Sequence, residues 1–150
     1  MPFDFHNRDR MESRIDELKD LRYRCLREIG EFTWHSDGGE IGRREPGETE
    51  SPGKVGKGFT WSGWDRYNWL CTTVEVGEEL IQSAGEGDIV GLFDFGAKEG
   101  TGNNSHFESL LYVNGEPYQG VDGNHKEVFF PIEETGRTLD LKFRVWSGLC

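Results

Sequence analysis

Apolar side chains return at steps of four and three along residues 11–30: Met11, Ile15, Leu18, Leu21, Cys25 and Ile29. That spacing stacks them on one side of a helix, with Glu, Asp, Lys and Arg on the opposite side. Asn7 or Asp9 suits the cap at its start, and Gly30 suits the left-handed residue just past its end. The pattern predicts one amphipathic helix over residues 11–30. Its stripe needs a cover, either the body of its own chain or another subunit.

From Glu31 to Lys57 the pattern dissolves into "EFTWHSDGGEIGRREPGETESPGKVGK", in which neither a period of two nor one of 3.6 survives. A connector of that length either lies across a surface or moves, with Phe32 and Trp34 placed to pin its first part. After Gly58 the pattern becomes a succession of strands. "FTWSGW" leads into "YNWLCTTVEV", where Trp69, Cys71, Thr73 and Glu75 share one face and Leu70, Thr72, Val74 and Val76 the other. "DIVGLFDFG", "ESLLYV", "EVFFPI" and "TLDLKFRVW" follow, the last setting Leu139, Leu141, Phe143 and Val145 against Thr138, Asp140, Lys142 and Arg144. Asn114-Gly115 favours a type I′ hairpin turn, because both residues accept positive φ. Short strands with Gly-rich turns and no helix between them indicate an antiparallel β-sandwich. The expected organisation is therefore a helix and irregular connector over residues 1–57, followed by a sandwich over 58–150, forming one structural unit.

Composition sharpens this. The 150 residues are only 34% hydrophobic but 13% aromatic, so Trp, Phe and Tyr must supply much of the buried area. A formal net charge of −11 speaks against nucleic acid and anionic membrane surfaces, which Lys and Arg hold by neutralising phosphate. Three widely spaced cysteines, Cys25, Cys71 and Cys150, form no Cys-x-x-Cys pair and point to a reducing compartment. The N-terminal residues lack a basic-then-apolar signal, and no apolar run approaches the roughly 20 residues of a membrane span. Cytoplasmic residence is the expectation.

For a hydrolase, the acidic candidates in the strand region are Asp65, Asp94, Glu108, Asp122 and Glu127, but acids at strand ends and turns are ordinarily solvated. The histidines His6, His35, His106 and His125 show no His-x-x-x-His spacing, so no metal face is preassembled. The glycines of "GTGNNS" and "GEGD" precede no helix start and cradle no phosphate. No catalytic or metal-binding residue is assigned. Two stretches remain as ligand or domain-interface candidates. "SGWDRYNWL" gathers Trp64, Tyr67 and Trp69 beside acid and amide groups, the chemistry of sugar contact, although alternate aromatics also fill sandwich cores. "QGVDGNH" holds Gln119, Asp122, Asn124 and His125 between two strands, and reads either as a binding loop or as a glycine-punctuated connection.

Taken together, "YNWLCTTVEV", "GLFDFG", "FESLLYVNGEPYQGVDGNHKEVFFP" and "DLKFRVWSGL" resemble the N-terminal β-domain of bacterial cytosolic α-mannosidases of glycoside hydrolase family 38. "MESRIDELKDLRYR" is similar to the helix that opens those proteins. The resemblance runs from about Met11 to Leu149, is strongest from Phe107 to Pro131 and at "RVWSGL", and lapses between Trp34 and Lys57. It implies a jelly-roll sandwich of the galactose-binding type, packed against a larger catalytic domain. There a divalent metal, usually zinc, and an aspartate nucleophile carry retaining hydrolysis of α-mannosides. The resemblance places both in that following domain, and none of their residues maps onto this chain. It implies a non-catalytic accessory domain whose partner is the catalytic domain of the same protein, with homo-oligomer assembly as a further role. The residues themselves leave open a stand-alone module that binds a mannoside or another protein.

Overall fold

The computed structural model describes residues 5–24, 27–37, 39, 41–47, 52–86, 88–96, 107–130 and 138–148. The described elements are α1 (Phe5–Asp20), β1 (Phe32–Ser36), β2 (Gly53–Val55), β3 (Tyr67–Glu75), α2 (Glu78–Ala84), β4 (Ile89–Leu92), β5 (Glu108–Val113), β6 (Glu116–Asp122), β7 (Glu127–Phe130) and β8 (Thr138–Trp146). Six strands form one antiparallel sheet in the order β2-β1-β3-β8-β5-β6, and β4 pairs with β7 in a second. The architecture is the mostly β, antiparallel sandwich that the alternation predicts.

β8 organises the large sheet, pairing with β3 along its whole length and with β5 over six residues. Its inward residues Leu139, Leu141, Phe143 and Val145 are buried, as are Leu70 on β3, Leu111 and Val113 on β5, Val121 on β6, and Val128 and Phe130 on β7. Rings bridge the layers. Phe93 and Phe95, just past β4, stand 4.7 and 5.0 Å from the Phe143 ring, and Phe95 lies edge-on to Phe107. Burying one such ring contributes about 1.5–3 kcal/mol, so few side chains close this core despite the modest hydrophobic fraction. Gly91 sits where a Cβ would meet the Phe93 ring at 2.5 Å, so only glycine lets β4 lie this close to the aromatics. The β5–β6 hairpin turns at Asn114 (φ 52°) and Gly115 (φ 86°), as the Asn-Gly pair predicts.

Four expectations change. The helix is Phe5–Asp20, not residues 11–30. Beyond Asp20 the chain is drawn into tertiary contacts: Tyr23 donates to Glu127, Arg27 donates to the Glu75 carbonyl, and Ile29 packs on the core. Cys25 lies outside the described residues. The stretch expected to be irregular contains β1 and β2, with Phe32 and Trp34 turned onto the core side. Phe32 and Trp34 alternate with Thr33 and His35, but over five residues beside a glycine- and charge-rich stretch, so pairing with β3 rather than a long pattern makes the strand. "FTWSGW" forms no strand; Phe59 and Trp61 instead pack their rings on Trp34, at 4.9 and 5.9 Å. Finally, α2 interrupts the strands. Its seven residues are too few for a helical period to show, though Glu78 and Glu79 favour the positive end of its dipole.

Candidate functional site

The two candidate stretches fall at one end of the large sheet. Tyr67 faces Trp146, Trp146 faces Glu108, and Glu108 faces Asp122, each across one strand interval. Opposed residues project to the same side, so these four form a row on the face turned away from the core. Three intervals of about 4.8 Å separate Tyr67 from Asp122 by about 14 Å. The row therefore does not gather both stretches around one small ligand.

At its β3 end the chain turns sharply through Gly63 (φ 142°) and Asp65 (φ 48°). Asp tolerates the left-handed region better than most side chains, and this turn is held from several sides. Ser147 Oγ donates to the Gly63 carbonyl at 2.6 Å and accepts from the Arg66 N–H at 2.9 Å. The Asp65 N–H reaches the Gly148 carbonyl, and the Asp65 carboxylate accepts from the Trp146 indole at 2.8 Å. The outcome is a fixed turn that leaves Trp64 68% exposed, with Tyr67 37% exposed beside it in sequence.

Trp69 is 0% exposed and belongs to no open surface. It stands on the outward face of β3, between His35 of β1 and Arg144 of β8, with its ring 5.5 Å from Tyr112. Arg144 pairs with Asp37 at 2.6 Å, and its guanidinium lies 4.7 Å from the Tyr67 ring centroid and 5.9 Å from that of Trp69. The Asp37 side chain is fully buried. Residues beyond β1 close this face: the Tyr112 hydroxyl donates to the Arg43 carbonyl, and Arg44 pairs with Glu116. Burial, then the charge of Lys142, holds His35 below its ordinary value. Burial pushes the Cys71 thiol up to about 11, so it stays protonated near neutrality and is no ready nucleophile. The outer face is a packed polar layer. Sequence reading missed its central pair because Asp37 lies in a stretch without periodicity, although the β8 alternation did place Lys142 and Arg144 on one side.

At the other end of the row, Asp122 answers for the polar loop. Its Oδ1 accepts from the backbone N–H of Asn124 at 2.7 Å and of His125 at 2.9 Å, and both its oxygens lie within 3.1 Å of His125 Nδ1. The hydrogen bond from His125, reinforced by that from Asn124, holds the Asp122 carboxyl below its usual range. Asp122 and His125 also exchange backbone hydrogen bonds, which closes the turn. Gln119 donates from Nε2 to the Glu127 carbonyl at 2.8 Å, stitching β6 to β7 and so one sheet to the other. Gln119 to Asp122, expected in the loop, belong to β6, so the connection shrinks to residues 123–126. These are the groups of a locked turn, with the Asn124 and His125 side chains exposed.

Two of the other acids are also engaged. Asp94 pairs with Lys126, and Glu127 accepts from Arg22 and Tyr23, while Glu108 is exposed. His106 lies outside the described residues. Among those described, no three His, Cys, Asp or Glu side chains group as metal ligands would, and no helix is long and apolar enough to cross a membrane.

No protein-family model matches the chain, and no curated protein matches it. Among solved structures, the β-glucuronidase of Ruminococcus gnavus in complex with D-glucaro-d-lactam aligns with a TM-score of 0.52 at 14% identity, covering 83% of this chain and 22% of that one. Its apo structure aligns with a TM-score of 0.51 at 14% identity, again over 83% and 22%. The chain thus spans under a quarter of that enzyme, and what they share is a fold: an antiparallel β-domain that occurs within a larger glycoside hydrolase.

Proposed function

We propose that this chain is a non-catalytic accessory β-sandwich of a glycoside hydrolase, which supports the catalytic domain or subunit assembly. One observation carries the reading: 83% of the chain aligns with a 22% portion of a β-glucuronidase, a proportion suited to a module of a larger enzyme. The sequence resemblance narrows the parent to a retaining, zinc-dependent α-mannosidase of family 38, acting in cytoplasmic oligosaccharide catabolism. Its strongest run, residues 107–131, includes β5, the Asn-Gly turn, β6, the Asp122-locked loop and β7, so the resemblance rests on one contiguous structural unit. In this reading the zinc and the nucleophile belong to the catalytic domain, and no residue of this chain is assigned to either.

The test is an α-mannosidase assay in two arms. The chain alone, with zinc added, should give no turnover of a p-nitrophenyl α-mannoside; measurable hydrolysis would overturn the accessory role. Added in trans to a family 38 catalytic region that lacks its own β-domain, the chain should raise that region's thermal midpoint, and no shift at saturating chain would count against the assignment.

The fixed exposure of Trp64 beside Tyr67 supports a second reading, a mannoside-binding module. Asn124 and His125 do not contribute to the same monosaccharide subsite, because about 14 Å separates the two ends of the row. Tryptophan fluorescence unchanged at millimolar mannobiose would remove this reading.

A further inference from the structure

Among the described residues, two apolar surfaces stand exposed and meet at one tether. The first is the stripe of α1, on which Met11, Ile15 and Leu18 are exposed, continued by Leu21, with Arg10 and Arg14 at its border. The second is the outward face of the small sheet. Ile89, Gly91, Val128 and Phe130 point to the core, so Val90, Leu92 and Phe129 point away, and Leu92 and Phe129 are 54% and 52% exposed. Glu127 stands on that same outward face, opposite Leu92. It accepts from Tyr23 and, at 2.5 Å, from Arg22, so it fixes the chain just past α1 at the border of the uncovered sheet.

We propose that α1 folds back about residues 21–23 and seats its apolar stripe on the outward face of β4 and β7. The dimensions fit: Met11 to Leu18 spans about 10 Å of helix axis, within the about 13 Å of a strand of four residues. Charge favours this occupant. Residues 5–24 carry six basic and five acidic side chains, whereas the other residues carry eleven basic and 23 acidic, so the helix approaches an acidic body. The tether also gives α1 an effective concentration that a free partner lacks. The inference stands apart from the glycosidase reading, since it uses only the two faces and their junction.

Disulfide trapping tests it in the 150-residue chain, with Cys25, Cys71 and Cys150 replaced by alanine. The pair Ile15→Cys and Phe129→Cys should close to a monomeric disulfide under copper–phenanthroline on the order of ten times faster than Ser13→Cys with Phe129→Cys, in which the helix cysteine is on the opposite side. Releasing the tether with Arg22→Gln and Tyr23→Phe should slow the first pair towards the second. Equal rates for the two pairs, or no disulfide in either, would overturn the proposal. Exclusively dimeric disulfides would do so too, and would make a second copy the occupant. Thermal unfolding of each reduced variant confirms that the comparison is made on folded chains.

Discussion

Phe143 and Arg144 are neighbours on β8 that serve opposite faces of one sheet, and the two faces are buried by different chemistry. On the inner face, rings and branched aliphatic chains exclude water without direction. On the outer face, Trp69 is equally buried, but its surroundings include an ion pair, a histidine and a tyrosine hydroxyl. Burial of an aromatic therefore does not say which side of a sandwich it belongs to, and an aromatic beside polar groups is not by that fact a sugar platform. Two buried nitrogens on the outer face, His35 Nδ1 and Trp69 Nε1, have no hydrogen-bond partner among the described residues, so burial there encloses polar groups as well as rings.

Substitutions on the two faces sharpen that contrast. The largest effect is expected for Phe143→Ala, which removes a ring shared by Phe32, Phe93 and Phe95 and should lower stability by about 3–5 kcal/mol in urea unfolding. Asp37→Ala comes next. Breaking a buried ion pair costs about 3–5 kcal/mol, but Arg144 keeps the Tyr67 ring and a partly open edge, so about 2 kcal/mol is expected. A loss as large as that of Phe143→Ala would mean the outer layer matters as much as the core.

Asp122→Ala should cost about 1 kcal/mol, through the Asn124 N–H and the His125 ring left without their carboxylate partner, while the His125 N–H keeps the Asp122 carbonyl. Its pH dependence has a definite sign. Because the folded carboxyl lies below the ordinary value of 3.8, its contribution is present above that value and is lost as pH falls through the folded one. Wild type and variant should therefore converge in thermal midpoint only in strong acid, and a gap that closed near neutrality would contradict the locked turn. Trp64→Ala should be smallest, within about 0.5 kcal/mol, because its side chain is exposed and the turn is held by its neighbours. A larger loss would mean that Trp64 packs more closely than its exposure shows.

The sequence displayed most of the sheet, because β8 and much of β3 alternate in period two and β5 is a short apolar run closed by the Asn-Gly turn. It hid β1 and β2, because the Phe32/Trp34 alternation of β1 is only five residues long, β2 is only three, and both are defined by pairing with β3 and with each other. It overran α1, since Leu21 and Ile29 continue the helical spacing while contacts to Glu127 and Glu75 draw the backbone elsewhere. In the candidate site the composition of both stretches was legible and their use was not. Nothing in the order of residues distinguishes a Trp69 packed between strands from a Trp64 lifted by a turn, because the difference is made by Ser147, over eighty residues away.

The margins of the large sheet carry a last consequence. One margin is β2, only three residues long and bearing Lys54; the other is β6, whose pairing with β5 shifts register at Tyr118 and whose Pro117 offers no N–H. A stray extended segment finds no continuous row of donors and acceptors at either margin. Fibril growth by strand addition is therefore discouraged at both edges of the six-stranded sheet.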